Sequence, residues 1–210
     1  MKLLIDSSTN YLYLAIINNE QVNSFVRYGK NDHSETLVDY LNKFLQQHQI
    51  SVQDIKEVYV GRGPGSYTGL RIAGTVGKVL SHINNKKLYS FSSLDLILAT
   101  KLETPGLYIS RIDAKKNHSY YKIVNIENNE MKVIVEETFG ENTIFENYPD
   151  YQILEMTEEF FEENRTRFDH VYHLLADEES KRIYENVISY KLTGDIKYLW
   201  DSESDKAQVY

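Results

Sequence analysis

The chain has no cysteine, which excludes disulfides, thiolate metal ligands and a cysteine nucleophile together. That fits a cytoplasmic location. No apolar run approaches the roughly 20 residues of a membrane-spanning helix. The opening "MKLLID" carries one lysine. Its apolar stretch is shorter than the roughly 7–15 residues of a secretory signal core, so residue 1 is expected to be the mature N-terminus. Positive charge is also scarce, with 23 Lys and Arg against 31 Asp and Glu and a formal net charge of -8. Nucleic-acid binding calls for clustered cations, so such contact is not expected from charge. The acid concentrates in "EMTEEFFEENR" (155–165), which reads as a solvated surface segment.

What remains is an ordinary globular balance, 41% hydrophobic and 26% charged over 210 residues, enough for one large domain or two small ones. Residues 2–28 read as three short strands: "KLLID" ending at Asp6, then "YLYLAII", then "VNSFVRY" after the turn "NNEQ". A helix follows over about 34–47, capped by Asp32 or Ser34, with a wide apolar face from Leu37, Val38, Tyr40, Leu41, Phe44 and Leu45. A strand ends near Gly61, a helix spans about 67–83, and "KLYSF" is another strand. Ser92 or Ser93 caps the helix "LDLILATKL". Strands in a meander followed by alternating helices and strands argue an α/β unit. Pro105 and Gly106 mark a seam, dividing the chain into residues 1–103 and a divergent 104–210. Beyond it come a hairpin, "LYISRIDA" and "HSYYKIVNI" joined by "KKN", the strand "MKVIVEETF", and a final helix in 176–194 stopped by Gly194.

The loop "GRGPGSYTGLR" (61–71) enters a helix from a strand, as phosphate-binding loops do. It fits none of the phosphate motifs. A P-loop requires Gly-Lys-Ser/Thr, and no lysine occurs before Lys78; the third glycine of G-x-G-x-x-G falls on Ser66 or Thr68. The nucleophile elbow G-x-S-x-G fails because Ser66 follows Gly65 directly. Ser66 reads instead as a helix cap. In the helix that follows, Gly69, Ala73 and Gly77 recur every four residues and line one face, widened by Gly74. Each glycine costs about 1 kcal/mol of helix stability against alanine, so close approach of a neighbour is expected in return. That neighbour is either the fold's own sheet or a partner's helix.

The strings "LLIDSST", "HSETL", "VGRGPGSYTGLRIAGTVGKVL", "SFSSLDLIL" and "RIDAKKNHSYY", in this order, resemble the TsaB (YeaZ) family. The resemblance is dense over residues 1–125 and weak afterwards; "YLW" (198–200) departs from the family's "YLR". It implies an actin-like, sugar-kinase-like (ASKHA) α/β fold with two related lobes. It also implies a non-catalytic subunit in the making of N6-threonylcarbamoyladenosine beside the anticodon of tRNAs that read codons beginning with A. The implied partners are a TsaD-type catalytic subunit and a TsaE-type ATPase, with a homodimer when the chain is alone and tRNA contacts made mainly by the other subunits. On this reading the helices at about 34–47 and 67–83 form the pairing surface, through Leu37, Leu41, Phe44, Gly69, Ile72, Ala73, Val76, Gly77 and Leu80.

The resemblance also bears on chemistry. ATP-binding members of this fold carry Asp-x-Gly-Thr/Ser after the first strand. Here the string is Asp6-Ser7-Ser8-Thr9, with a side chain where the glycine would admit phosphate. It reads as a vestigial phosphate loop with no cofactor of its own, leaving room for weak residual nucleotide binding. The catalytic relatives hold a metal with His-x-x-x-His; here the pair is His33 and Leu37, and one imidazole makes a poor metal site. His170 and His173, three apart, lack a third ligand, and Asp113 with Lys115 reads as structural. The competing readings are an ATP hydrolase or phosphotransferase of the same fold and, further off, a metallopeptidase.

Overall fold

The structure, a computed structural model, describes residues 1–171 except 20 and 30–32, without the side chains of residues 33, 34 and 84. The expected final helix, the cap candidate Asp32, His173 and the "YLW" string lie outside the described residues, as does the side chain of the other cap candidate, Ser34.

Alternating apolar residues build the first sheet. Strands β1 (Lys2–Asp6), β2 (Tyr11–Asn18) and β3 (Gln21–Tyr28) form the expected antiparallel meander. Helix α1 (His33–Gln47) leads to β4 (Glu57–Gly61), which pairs parallel with β1. Helix α2 (Tyr67–His82) leads to β5 (Lys87–Phe91), parallel with β4. The strand order is β3-β2-β1-β4-β5. Along β2 successive side chains point to opposite faces. Leu12, Leu14 and Ile16 join Leu3, Ile5, Val58, Val60 and Leu88 under α1 and α2, while Tyr11, Tyr13, Ala15 and Ile17 face the other way.

That second face is covered from two directions. The seven-residue helix α3 (Ser93–Ala99) places Leu96 and Ala99 on it. Later residues return to it: Phe161 from α4 (Glu158–Asn164), then Phe168 and Val171. One core therefore contains residues from both sides of the division expected at residue 103.

The second sheet begins with β6 (Gly106–Asp113), β7 (His118–Glu127) and β8 (Glu130–Glu141), again an antiparallel meander, and closes with β9 (Gln152–Glu155) parallel to β6. Its order β8-β7-β6-β9 repeats the β3-β2-β1-β4 part of the first sheet. This is the two-lobed α/β plan of the actin-like fold. The lobes differ in their crossovers. Where α1 joins β3 to β4, a six-residue 3-10 helix, Asn142–Asn147, joins β8 to β9. Helix α3 lies between the sheets, with Leu94, Ile97 and Leu98 packed on Tyr108, Ile112, Val124, Ile126 and Leu154. Among the described residues no helix is long and apolar enough to cross a membrane.

The packing corrects the expected pairing surface. Gly69, Ala73, Gly77 and Leu80 are buried against the protein's own sheet. A Cβ on Gly77 would collide with Val60 of β4. Leu37, Leu41 and Phe44 lie in the same core, at 1%, 5% and 2% exposure. The small-residue stripe brings α2 down onto the parallel strands. Of the nine residues expected at the surface, Ile72 and Val76 alone are only partly buried.

One acidic group opposes this packing. Tyr13 sends its hydroxyl to the carbonyl of Phe168 and to Oδ1 of Asp169, each at 3.4 Å. Burial pushes the Asp169 carboxyl above its ordinary value, against the lowering effect of hydrogen bonds from Ser24 and Tyr13. The folded chain thus binds this proton more tightly than the unfolded chain, and stability falls as pH rises from the ordinary aspartate range to the raised folded value. Asp169→Asn keeps an acceptor for both hydroxyls and removes the ionisation. Its melting temperature should exceed that of the unsubstituted chain at pH 7, with the difference closing below about pH 4. A constant difference across a pH series would show that ionisation of Asp169 carries no penalty.

Candidate functional site

Ligands of open α/β sheets bind beyond the carboxyl ends of the strands. Here β1, β4 and β5 end together at Asp6, Gly61 and Phe91, followed by the 7–10 turn, the glycine loop and the start of α3. Asp6 is 3% exposed. Its Oδ1 accepts the Ser8 amide at 2.7 Å and its Oδ2 accepts the Ser93 hydroxyl at 2.6 Å, while Ser8 donates its own hydroxyl to Ser93 at 2.7 Å. Ser7 donates to the carbonyl of Gly69 at 2.8 Å. The glycine loop closes over this turn. The Ser8 carbonyl accepts the Ser66 amide at 2.5 Å, and a Cβ on Gly65, whose φ is +153°, would strike that same carbonyl. Ser66 caps α2 as expected, accepting the Gly69 amide at 3.3 Å.

The Ser8 amide and the Ser7 and Ser8 hydroxyls, which a phosphate could use, are therefore engaged within the chain. The cavity beside them, lined by Asp6, Ser8, Thr9, Tyr11, Tyr13 and Ser93 among others, measures about 10 Å³, room for roughly one water. These residues do not fit a nucleotide in this arrangement. The positions that the sequence reading sets aside as metal ligands or reads as structural are also scattered. Leu37 lies in the core, and the imidazole of His170 sits 3.7 Å from Glu103. Asp113 accepts the Lys115 amide at 3.3 Å in the β6–β7 turn. Among the described residues no cluster of three or more His, Asp or Glu could hold a metal.

The sequence reading passed over the opposite wall of the cleft. The Arg62 guanidinium meets both carboxylate oxygens of Glu137, on β8, at 3.4 Å. Ser92, the cap of α3, donates to the same carboxylate at 2.6 Å. Nothing local marks this pairing, since 75 residues separate Arg62 from Glu137.

On the outer face of α2 the sequence reading names Ile72 and Val76 but not Val79 or Ile83. Ile72, Val76, Val79 and Ile83 follow helical spacing, about 90° around the axis from the small-residue stripe. Val79 and Ile83 are 55% and 46% exposed, and Val38 on the neighbouring α1 is 63% exposed. Ile72, Val76 and Val79 in one line on α2, followed by Ile83 at its C-cap, make a larger apolar strip than scattered surface residues do.

Comparison with known proteins gives the family. A family model described as "TsaD: tRNA N6-adenosine threonylcarbamoyltransferase" matches residues 14–176. The chain is 28% identical over 134 residues to the tRNA threonylcarbamoyladenosine biosynthesis protein TsaB of Bacillus subtilis, covering 63% of this chain and 58% of that one. It is 26% identical over 177 residues to an uncharacterized protein of Mycoplasma pneumoniae, covering 80% and 87%. The fold matches YeaZ from Pseudomonas aeruginosa with a TM-score of 0.61 at 21% identity over 66% of each chain. The chain belongs to the TsaB (YeaZ) family, within the TsaD domain family. It spans about three fifths of the length of the Bacillus relative and two thirds of that YeaZ chain.

The close contacts at the turn set a test of the closed loop. A Cβ on Gly69 would drive into the carbonyl oxygen of Ser7, which is backbone. Gly69→Ala should cost about 1–3 kcal/mol in urea unfolding with an unchanged slope. A loss below about 0.5 kcal/mol would place the residue among ordinary surface positions and refute the tight seat of α2 on the turn.

Proposed function

We propose that this chain is a non-catalytic scaffold subunit for installing N6-threonylcarbamoyladenosine on tRNA, acting in the cytoplasm by binding a TsaD-type catalytic subunit. The observation that carries the reading is the outward apolar line of half-buried Ile72 and Val76 with exposed Val79 and, at the C-cap, exposed Ile83, on a helix whose other apolar face is committed to the core. A water-facing stripe of this kind gains free energy only when something covers it. In the absence of the catalytic subunit, a second copy of the chain covers it. A TsaE-type ATPase joins the assembly, and tRNA contacts come mainly from the other subunits, in keeping with the net charge of -8. The chain turns over no nucleotide of its own, because Asp6, Ser8 and Ser93 bond to one another and the glycine loop closes on the Ser8 carbonyl.

Two measurements test the reading. Nucleoside mass spectrometry of tRNA from cells depleted of the chain should show loss of threonylcarbamoyladenosine, restored by adding the chain back. Unchanged modification would refute the assignment. The surface is tested separately with Val79→Asp. At 55% exposure this position should tolerate the change with a stability shift of about 0.5 kcal/mol or less. Covered by a partner, the carboxylate would be desolvated without a counter-ion, so binding to the catalytic subunit should weaken by about a hundredfold. Calorimetry with that subunit and sedimentation of the chain alone read both pairings. Ala73, 0% exposed, is unsuited to the test, since a bulky side chain there would disrupt the core.

A further inference from the structure

Two neighbouring serines at the start of α3 face different lobes. Ser93 donates to Asp6 at the end of β1, and Ser92 donates to Glu137 on β8. Arg62 makes the same division within one residue. Its amide donates to Phe91 at the end of β5 at 2.8 Å, while its guanidinium meets both oxygens of Glu137. Glu137 is thus the second-lobe acceptor for the first residue of the glycine loop and for the cap of α3. Two further bonds tie α3 to the second sheet, Lys122 to Asp95 at 2.7 Å and Ser110 to the Leu94 carbonyl at 2.9 Å.

The strand is irregular where Glu137 leaves it. β7 takes two steps from Tyr121 to Ile123, while β8 takes three from Thr138 to Val135. The extra residue falls at Glu136–Glu137, so the strand bulges there and the regular alternation of faces is broken. Bulges of this kind re-aim a side chain, and the one re-aimed here reaches the cleft. Glu137 is 12% exposed at its side chain and Arg62 28%, a partly desolvated pair in which each partner depends on the other.

We propose that Glu137 is a positioning residue: through Arg62 and Ser92 it holds the glycine loop against the second lobe, and so fixes the first turn of α2, the helix that carries the apolar line. The partner surface is then sensitive to the second lobe without contacting it. This last step rests on the partner reading above; the hold on the loop does not.

The test uses the full chain as Glu137→Ala, Glu137→Gln, and the exchanged pair Arg62→Glu with Glu137→Arg. In Glu137→Ala, amide hydrogen exchange across residues 62–70 should quicken by about tenfold, the loss expected for a charge-assisted hydrogen bond. Exchange in α1 should stay unchanged. Glu137→Gln, which keeps an acceptor for Ser92, should show a smaller effect, and the exchanged pair should recover most of it. Affinity for the TsaD-type subunit should follow the same order. Unchanged loop exchange in Glu137→Ala, or exchange that quickens equally in α1 and the loop, overturns the proposal, since the second pattern is general destabilisation. No recovery in the exchanged pair overturns the role of the charge pair. If the unsubstituted chain fails to bind the catalytic subunit, the partner reading and the coupling to it fall together. Loop exchange still decides whether Glu137 holds the loop.

Discussion

The Ser8 carbonyl is the point on which the first lobe closes. It accepts the Ser66 amide and presses against Gly65, at a place where any side chain would collide with it. One residue earlier, Ser7 presents its carbonyl to Gly69 and its hydroxyl to the Gly69 carbonyl. The turn after β1 therefore seats both the loop and the first turn of α2. Further along, Gly77 permits contact with Val60. Three glycines, each costly in a loop or helix, serve one end: α2 lies close on the parallel strands and enters at a fixed point. The glycine-rich string keeps the form of an anion-binding loop, but its place is filled by the chain's own carbonyl.

Helix α2 consequently has two apolar faces with different duties. The face of Gly69, Ala73, Gly77 and Leu80 is spent on the sheet. The line of Ile72, Val76, Val79 and Ile83 is turned toward solvent, with Ile72 and Val76 only partly covered. A helix seated by small residues keeps its axis low, so the outer line sits near the body of the lobe. A line of this kind is not the concave site that a small molecule asks for.

These two faces also show what the sequence could convey. Alternation in "YLYLAII" separates the residues of the two cores of the first sheet correctly, because a strand's period is strict and both faces here are buried. The caps at Ser66 and Ser92 were legible because a cap is a local bond. Periodicity in α2 revealed a small-residue face but could not name its neighbour, since a strand and a partner helix demand the same small residues. The expected pairing set therefore mixes that face with Ile72 and Val76 of the outward line one quarter-turn away, and leaves out Val79 and Ile83. The Glu137 bridge was beyond reach for a different reason. It depends on a bulge, which single-sequence patterns do not mark, and on a partner 75 residues away.

The same bridge bears on how a cleft between two lobes is kept in one arrangement. In a two-lobed fold the groove between sheets is the natural place for relative motion, and a ligand's charge commonly fixes it. Here the groove holds charges of the chain itself. Glu137 reaches across to Arg62 and Ser92, Lys122 reaches Asp95, and α3 buries apolar residues against both sheets. Asp6, the carboxylate at the end of β1, is bonded to Ser8 and Ser93 in turn. Each lobe thus contributes one buried or nearly buried carboxylate, and consecutive serines on α3 answer both. The second lobe, whose crossover to β9 is a short 3-10 helix where the first lobe has α1, gains through these contacts an anchorage that its own layers do not supply. Side chains of both lobes thus meet across the groove, and the bonds of α3 to each sheet tie the two together.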